Sequence, residues 1–417
     1  MWRWGLLILA AAAAVAGACP AGVADTAPAT TAAKVDHGPQ ESNGYTRYEL
    51  LAPGSGKFRI IYDITAIWPG ATAFFNPIRK GSISSDETVT DRATGKPLKF
   101  DIVSGAEAQR TGLPDGDPTY DYIRVQLAHP VPDNGGEARM RIEKTYADPK
   151  SYYQDGDTIV FDRSLGIKRN AVVLPPGYVL STCNYPVQVA QEADGRIKVS
   201  FISDTPEDAP LKLTARPAKI SPLASSEEDK FDERAAQNRD IVYFLRDPDT
   251  HAFDLYHDYT EERLGAHDYV NVVRTGSAAS NPSARDLDTG ETIPAQLLKG
   301  DAIKAAGIDD PDIGTITPDT EVVVFPFKPL KTGQSIRLRM SETYTDPVSY
   351  KEVDGELVFH RSFGRAVDAV VLPAGWVLTN STIPGQISTT ADGRTRLDFV
   401  NPRPDEIDVL ITAKRAS

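Results

Sequence analysis

Short runs in which apolar and polar residues alternate recur along the whole chain. FRIIYDIT, YIRVQL, ARMRIEKTY, DTIVFD, RIKVSFI and LKLTA are rich in Val, Ile, Phe, Tyr and Thr. Successive side chains of a strand point to opposite faces, so a strand with one face on a core needs this period of two. Turn-forming clusters separate the runs: PGSG, TGKP, DNGG, QDGD, PPG and ADG. Long helical periods are absent. The exception is SSEEDKFDERAAQNR, from Ser225 to Arg239, where Ser226 stands as a cap with Asp229 three residues on. GDAIKAAG, from Gly300, suits one helical turn.

The whole pattern occurs twice. TYADPKSYYQDGDTIVFDRSLG from Thr145 returns as TYTDPVSYKEVDGELVFHRSFG from Thr343, and AVVLPPGYVL from Ala171 returns as AVVLPAGWVL from Ala369. About 31 of 78 positions are identical between Arg139–Arg216 and Arg337–Lys414, without a gap. Before an acidic loop the offset drops from 198 to 195, so that Tyr48 meets Tyr243, Phe58 meets Phe253 and Asp63 meets Asp258. Repeats this long make tandem domains rather than a solenoid. The fold expected is all-β: two tandem homologous antiparallel β-sandwich domains joined by a short helical connector. The boundaries are 44–216 for the first repeat, 217–238 for the connector and 239–417 for the second repeat. At 417 residues the chain suits two cores.

The N-terminus reads as an export signal over residues 1–19, with Arg3 ahead of the apolar run LLILAAAAAVAGA. That run is too short for a mature membrane span. Ala16-Gly17-Ala18 has the form of a cleavage site, and it also precedes Cys19 as in a bacterial lipobox, which makes Cys19 the lipidation candidate. Residues 20–43 then serve as a flexible tether in either case. Cys183 is the only other cysteine, so an intrachain disulfide is not expected. Its counterpart is Ser381, which marks a small strand residue rather than a reactive thiol. A net charge of -13 argues against nucleic acid, whose phosphates need a basic footprint. Contact with a membrane is expected only through the lipid anchor.

Candidate chemistry is sparse. Asp115, Asp117 and Asp121 share one short loop, and Asp309, Asp310 and Asp312 share its counterpart. Crowded carboxylates suit calcium, though Asp and Gly also simply form turns. His251, His257 and His267 match no metal spacing; alternation places His251, Phe253, Leu255, His257 and Tyr259 on one face of a half-buried strand. Polar residues shared by both copies are Asn76/Asn271, Arg79/Arg274, Asp148/Asp346 and Arg163/Arg361. Asn76, Arg79, Arg163, Asn271, Arg274 and Arg361 are therefore the candidate ligand-binding residues, since Arg grips carboxylates. Identity kept between diverged copies reads first as fold-keeping. Asp148 is expected to form a turn before Pro149, and Arg163 to bond strand-end carbonyls. Tyr178 and Trp376, which share a position, read as core or rim aromatics rather than a sugar-stacking platform. No GxSxG, P-loop, GxGxxG, CxxC or HExxH occurs. No cofactor is expected, calcium aside. The leading expectation is an exported, non-enzymatic binding or assembly protein of the bacterial envelope, with a protein or glycan partner. The alternative is an envelope hydrolase that acts on glycan or peptide through loop carboxylates.

Overall fold

Alternation becomes burial along Lys57–Ala66, where Phe58, Ile60, Tyr62 and Ile64 turn inward while Lys57 and Arg59 face water. The computed structural model describes residues 39–219, 233–237, 239–308, 310 and 313–416. Residues Gly38–Ser417 form one compact unit that holds both copies. The chain is nearly all β, in two tandem β-sandwich domains.

In the first copy a seven-stranded sheet runs in the order Gln188–Gln191, Ile197–Ile202, Arg169–Val173, Glu41–Leu50, Lys57–Ala66, Ala138–Ala147, Ile83–Asp91. Two smaller sheets cover its inner face. One has four strands, including Thr158–Leu165 and Ala209–Pro217; the other has three, including Ala73–Ile78 and Asp121–Gln126. The core lies between them: Tyr48, Phe58 and Tyr146 of the large sheet meet Phe161 and Leu213 on one side, Phe74 and Ile123 on the other. The second copy repeats the strand order and adds one edge strand, Thr292–Ile293. Pairing is antiparallel apart from one parallel pair in each large sheet, Glu41–Leu50 with Arg169–Val173 and Arg239–Leu245 with Val367–Val371.

A short helix occupies the same place in each copy, Gly105–Thr111 and Asp301–Ala305. The first was not expected. Its signal is Ser104, whose hydroxyl accepts from the Glu107 backbone N–H at 3.3 Å and caps the first turn. Most of the expected connector helix lies outside the described residues. Its described end is one tight turn, Arg234–Ala236. There the buried Arg234 donates to the carbonyls of Gly364 at 3.0 Å and Asn401 at 3.2 Å.

The copies meet through polar groups rather than a shared apolar core. Arg139 of the first grips Asp288 of the second with two bonds of 2.6 and 2.7 Å, both side chains buried. The Glu137 backbone N–H donates to the Leu287 carbonyl at 2.7 Å, and Arg92 pairs with Glu262.

Candidate functional site

The inner face of the large sheet carries different chemistry in the two copies. Strand register fixes which residues share that face: Leu255 sits opposite Tyr243 and Glu342, and His257 opposite Ile241 and Met340. At seven inward or adjoining positions the residue type changes. Gly44, Tyr62, Ile64, Phe74, Lys144, Ile167 and Asn170 of the first copy become Arg239, His257, Tyr259, Tyr269, Glu342, Arg365 and Asp368 of the second.

The first copy is closely packed around Gly44. A Cβ on Gly44 would lie only 3.2–3.3 Å from Tyr62 and Ile167, so Gly44 leaves room for those two side chains. Lys144 is buried, and its ammonium donates to Asn76 Oδ1 with the Tyr146 ring 4.9 Å away. Burial first, then the Arg163 charge, pulls the Lys144 ammonium down to about 7. The Arg79 guanidinium donates to the Ser164 carbonyl at 3.0 Å and ties the three-stranded sheet to the four-stranded one. Arg163 does not bond carbonyls as the sequence suggested. It forms a buried pair with Asp148 at 3.0 Å and lies over the rings of Phe58 and Tyr146. Asp148 does form the turn, accepting from the backbone N–H groups of Lys150 and Ser151.

The second copy is hollow. A cavity of about 240 Å³ opens between its sheets, with His257, Asn271, Arg274, Glu342, Arg361 and Arg365 among its lining. Asn271 Nδ2 donates to both Glu342 oxygens, at 2.9 and 3.0 Å, and to Tyr344 at 3.2 Å. Burial pushes the Glu342 carboxyl up to about 7, against the lowering effect of Asn271. Arg361 pairs with Asp346 at 2.9 Å, repeating Arg163 and Asp148. Arg274 reaches the Ser362 carbonyl at 3.4 Å, repeating Arg79.

His257 is 5% exposed and sits at the back of this cavity. Arg239 donates to the Tyr269 hydroxyl oxygen at 2.9 Å, and that hydroxyl lies 3.3 Å from His257 Nδ1. The Tyr269 hydroxyl and His257 Nδ1 thus share one hydrogen bond, whose direction follows the ring tautomer. Burial, then the charges of Arg239, Arg365 and Arg337, hold His257 well below the usual imidazole range, so the ring is neutral. Its Nε2 has no hydrogen-bond partner.

The six candidate ligand residues thus fall into two corresponding groups of three. In the second copy Asn271, Arg274 and Arg361 line the cavity while bonded to Glu342, the Ser362 carbonyl and Asp346; in the first, Asn76, Arg79 and Arg163 bond Lys144, the Ser164 carbonyl and Asp148 in the same way. Sequence reasoning missed Lys144, Glu342, Arg365 and the role of His257. The signal was present: a charge at an inward position of an alternating strand, in RIEKTY and in RMSETY.

The acidic loops are less organised. Asp117 turns its carboxylate onto the Thr119 N–H and hydroxyl, which hold it below the usual carboxylate range. Asp115 and Asp121 stand on the same loop, Asp121 exposed at the start of its strand. Asp309 and Asp312 lie outside the described residues, as does Cys19; Asp310 is described. Among the described residues no three Asp, Glu, His or Cys side chains are placed to hold a metal ion. Trp376 is buried in the second core with Arg415 over its ring, and Tyr178 packs half-buried on the first. Cys183 is half-buried beside that same core.

No protein-family model matches the chain, and no curated protein matches it. Among solved structures, an M1 zinc metallopeptidase from Deinococcus radiodurans matches at 11% identity and a TM-score of 0.28, over 42% of this chain and 41% of that one. The chain thus spans about two fifths of the length of the peptidase structures it matches. The collagen adhesin of S. aureus matches at 8% identity and a TM-score of 0.16, over 77% of this chain and 84% of that one. At such scores neither bears on what this chain does.

Proposed function

We propose that this chain is an exported, envelope-associated binding protein whose ligand seat is the cavity of the second sandwich. The observation that carries this reading is the contrast at equivalent positions. One copy fills the space with Tyr62 and Ile167, while the other lines a cavity with His257, Arg365 and Glu342. Polar and charged groups facing an interior cost free energy unless something satisfies them. Duplication supplies the comparison: Tyr62 and Ile167 stand in the first copy where the second has His257 and Arg365. Concave seats with a few convergent polar groups are where small ligands bind. Export and envelope attachment rest on the N-terminal pattern and Cys19. Among the described residues no helix is long and apolar enough to cross a membrane.

A fragment screen by ligand-observed NMR on the exported protein tests the seat. The control variant carries the residues of the first copy, Arg239→Gly, His257→Tyr and Arg365→Ile. Hits on the natural protein should vanish in the variant, whose melting curve reports that it is folded. Hits that persist in the variant, or no hits at all, would overturn the reading.

A further inference from the structure

The second sandwich leaves hydrogen-bond donors unspent, and their grouping points to a class of ligand. Arg365 is half-buried and makes no hydrogen bond or ion pair with any described residue. Its guanidinium cannot shed its charge. Asp368 is an acid whose field it feels, but burial holds that carboxyl well above its usual range, so it is a poor counter-charge. Arg239 also acts on Arg365, with like charge. His257 Nε2 and Arg361 Nε, both buried, also have no hydrogen-bond partner among the described residues. All three side chains line the one cavity.

Resting on the ligand seat above, we infer that the cavity takes a small organic monocarboxylate. Its carboxylate would lie on Arg365, and its short apolar body on Leu255 and Met340. A planar guanidinium matches a planar carboxylate with two parallel bonds. Leu255, Val272 and Met340 supply apolar wall. Glu406 stands in the same lining and opposes a second negative charge, which disfavours phosphate and dicarboxylates.

Isothermal titration of the exported protein with butyrate, butyramide and inorganic phosphate reads the class directly. Butyrate should bind at least about tenfold tighter than either of the others, the amide lacking the charge that the guanidinium pairs with. Arg365→Met should weaken butyrate by at least about tenfold while the melting curve stays cooperative. Phosphate binding tighter than butyrate would overturn the carboxylate assignment. Equal binding of butyrate and butyramide, unmoved by Arg365→Met, would overturn any anion while the ligand seat stands. Silence of all three probes beside positive fragment hits would do the same. Silence in both experiments sinks the seat itself.

Discussion

One aligned strand position holds opposite charges in the two sandwiches, and the neighbour they share is the same residue. Lys144 faces Asn76 in the first copy; Glu342 faces Asn271 in the second. A carboxamide carries both an acceptor and donors, so Asn serves either charge by presenting its oxygen or its nitrogen. Arg79/Arg274 and the Asp148–Arg163 and Asp346–Arg361 pairs also recur with the same bonds. What recurs holds the sandwich together. Of what differs, His257, Glu342 and Arg365 line the cavity, beside the recurring Asn271, Arg274 and Arg361. Duplication thus sorts scaffold from candidate site, and the cavity draws on both.

The scaffold half of that comparison carries the largest expected effect. Asp148→Ala and Asp346→Ala each strand a buried guanidinium, Arg163 or Arg361. Loss of one partner from a buried pair costs about 3–5 kcal/mol. Urea unfolding should show similar losses for the two variants. A large loss in one and none in the other would mean that the pair is scaffold in only one copy.

Next comes pH, where the copies should respond with opposite sign. Lys144 falls from its ordinary 10.5 to about 7 in the native state, through burial and then the Arg163 charge. Between those values the native protein binds fewer protons than the unfolded chain, so this group makes stability rise as pH rises from about 7 to 10.5. Glu342 climbs from 4.5 to about 7, chiefly through burial. There the native protein binds more protons, and stability falls as pH rises from 4.5 to about 7. Displacements of this size correspond to about 5 kcal/mol across the Lys144 window and about 3 kcal/mol across the Glu342 window. Lys144→Met should flatten the alkaline slope of the urea midpoint, and Glu342→Gln the acidic one. If either variant keeps the slope of the natural protein, its residue is not the titrating group.

The architecture was legible because its two signals are local. Alternation sets which residues of Lys57–Ala66 face inward, and the repeated segments mark two such units. The parallel pair between Glu41–Leu50 and Arg169–Val173 was not legible, since nothing local in either strand names a partner more than a hundred residues away. Asp148 was readable as a turn former, but its pairing with Arg163 depends on how two sheets stack. The site was hardest. His257 reads as one more residue of an alternating strand, and only burial with the positions of Arg239 and Arg365 makes it a neutral ring in the lining of a cavity. Comparing inward positions between the copies would have exposed Lys144 against Glu342 before any coordinates.

The smallest expected effect gives the sharpest sign. Asn76→Asp sets a carboxylate against the buried Lys144 ammonium, supplying the counter-charge that burial now denies it. That should return the Lys144 ammonium toward its ordinary range and stabilise the first copy near neutral pH by about 1 kcal/mol, after the cost of burying the new charge. Asn271→Asp sets the same group against Glu342. Two carboxyls at one buried place cannot both ionise, so one stays protonated, and a single shared O–H replaces the two bonds that Asn271 gives Glu342. The second copy should lose about 1–3 kcal/mol at neutral pH and recover part of it below pH 5. Urea midpoints of the two variants at pH 7 should therefore move in opposite directions. Movement in the same direction would show that the amide is kept for its shape rather than for its two-sided hydrogen bonding.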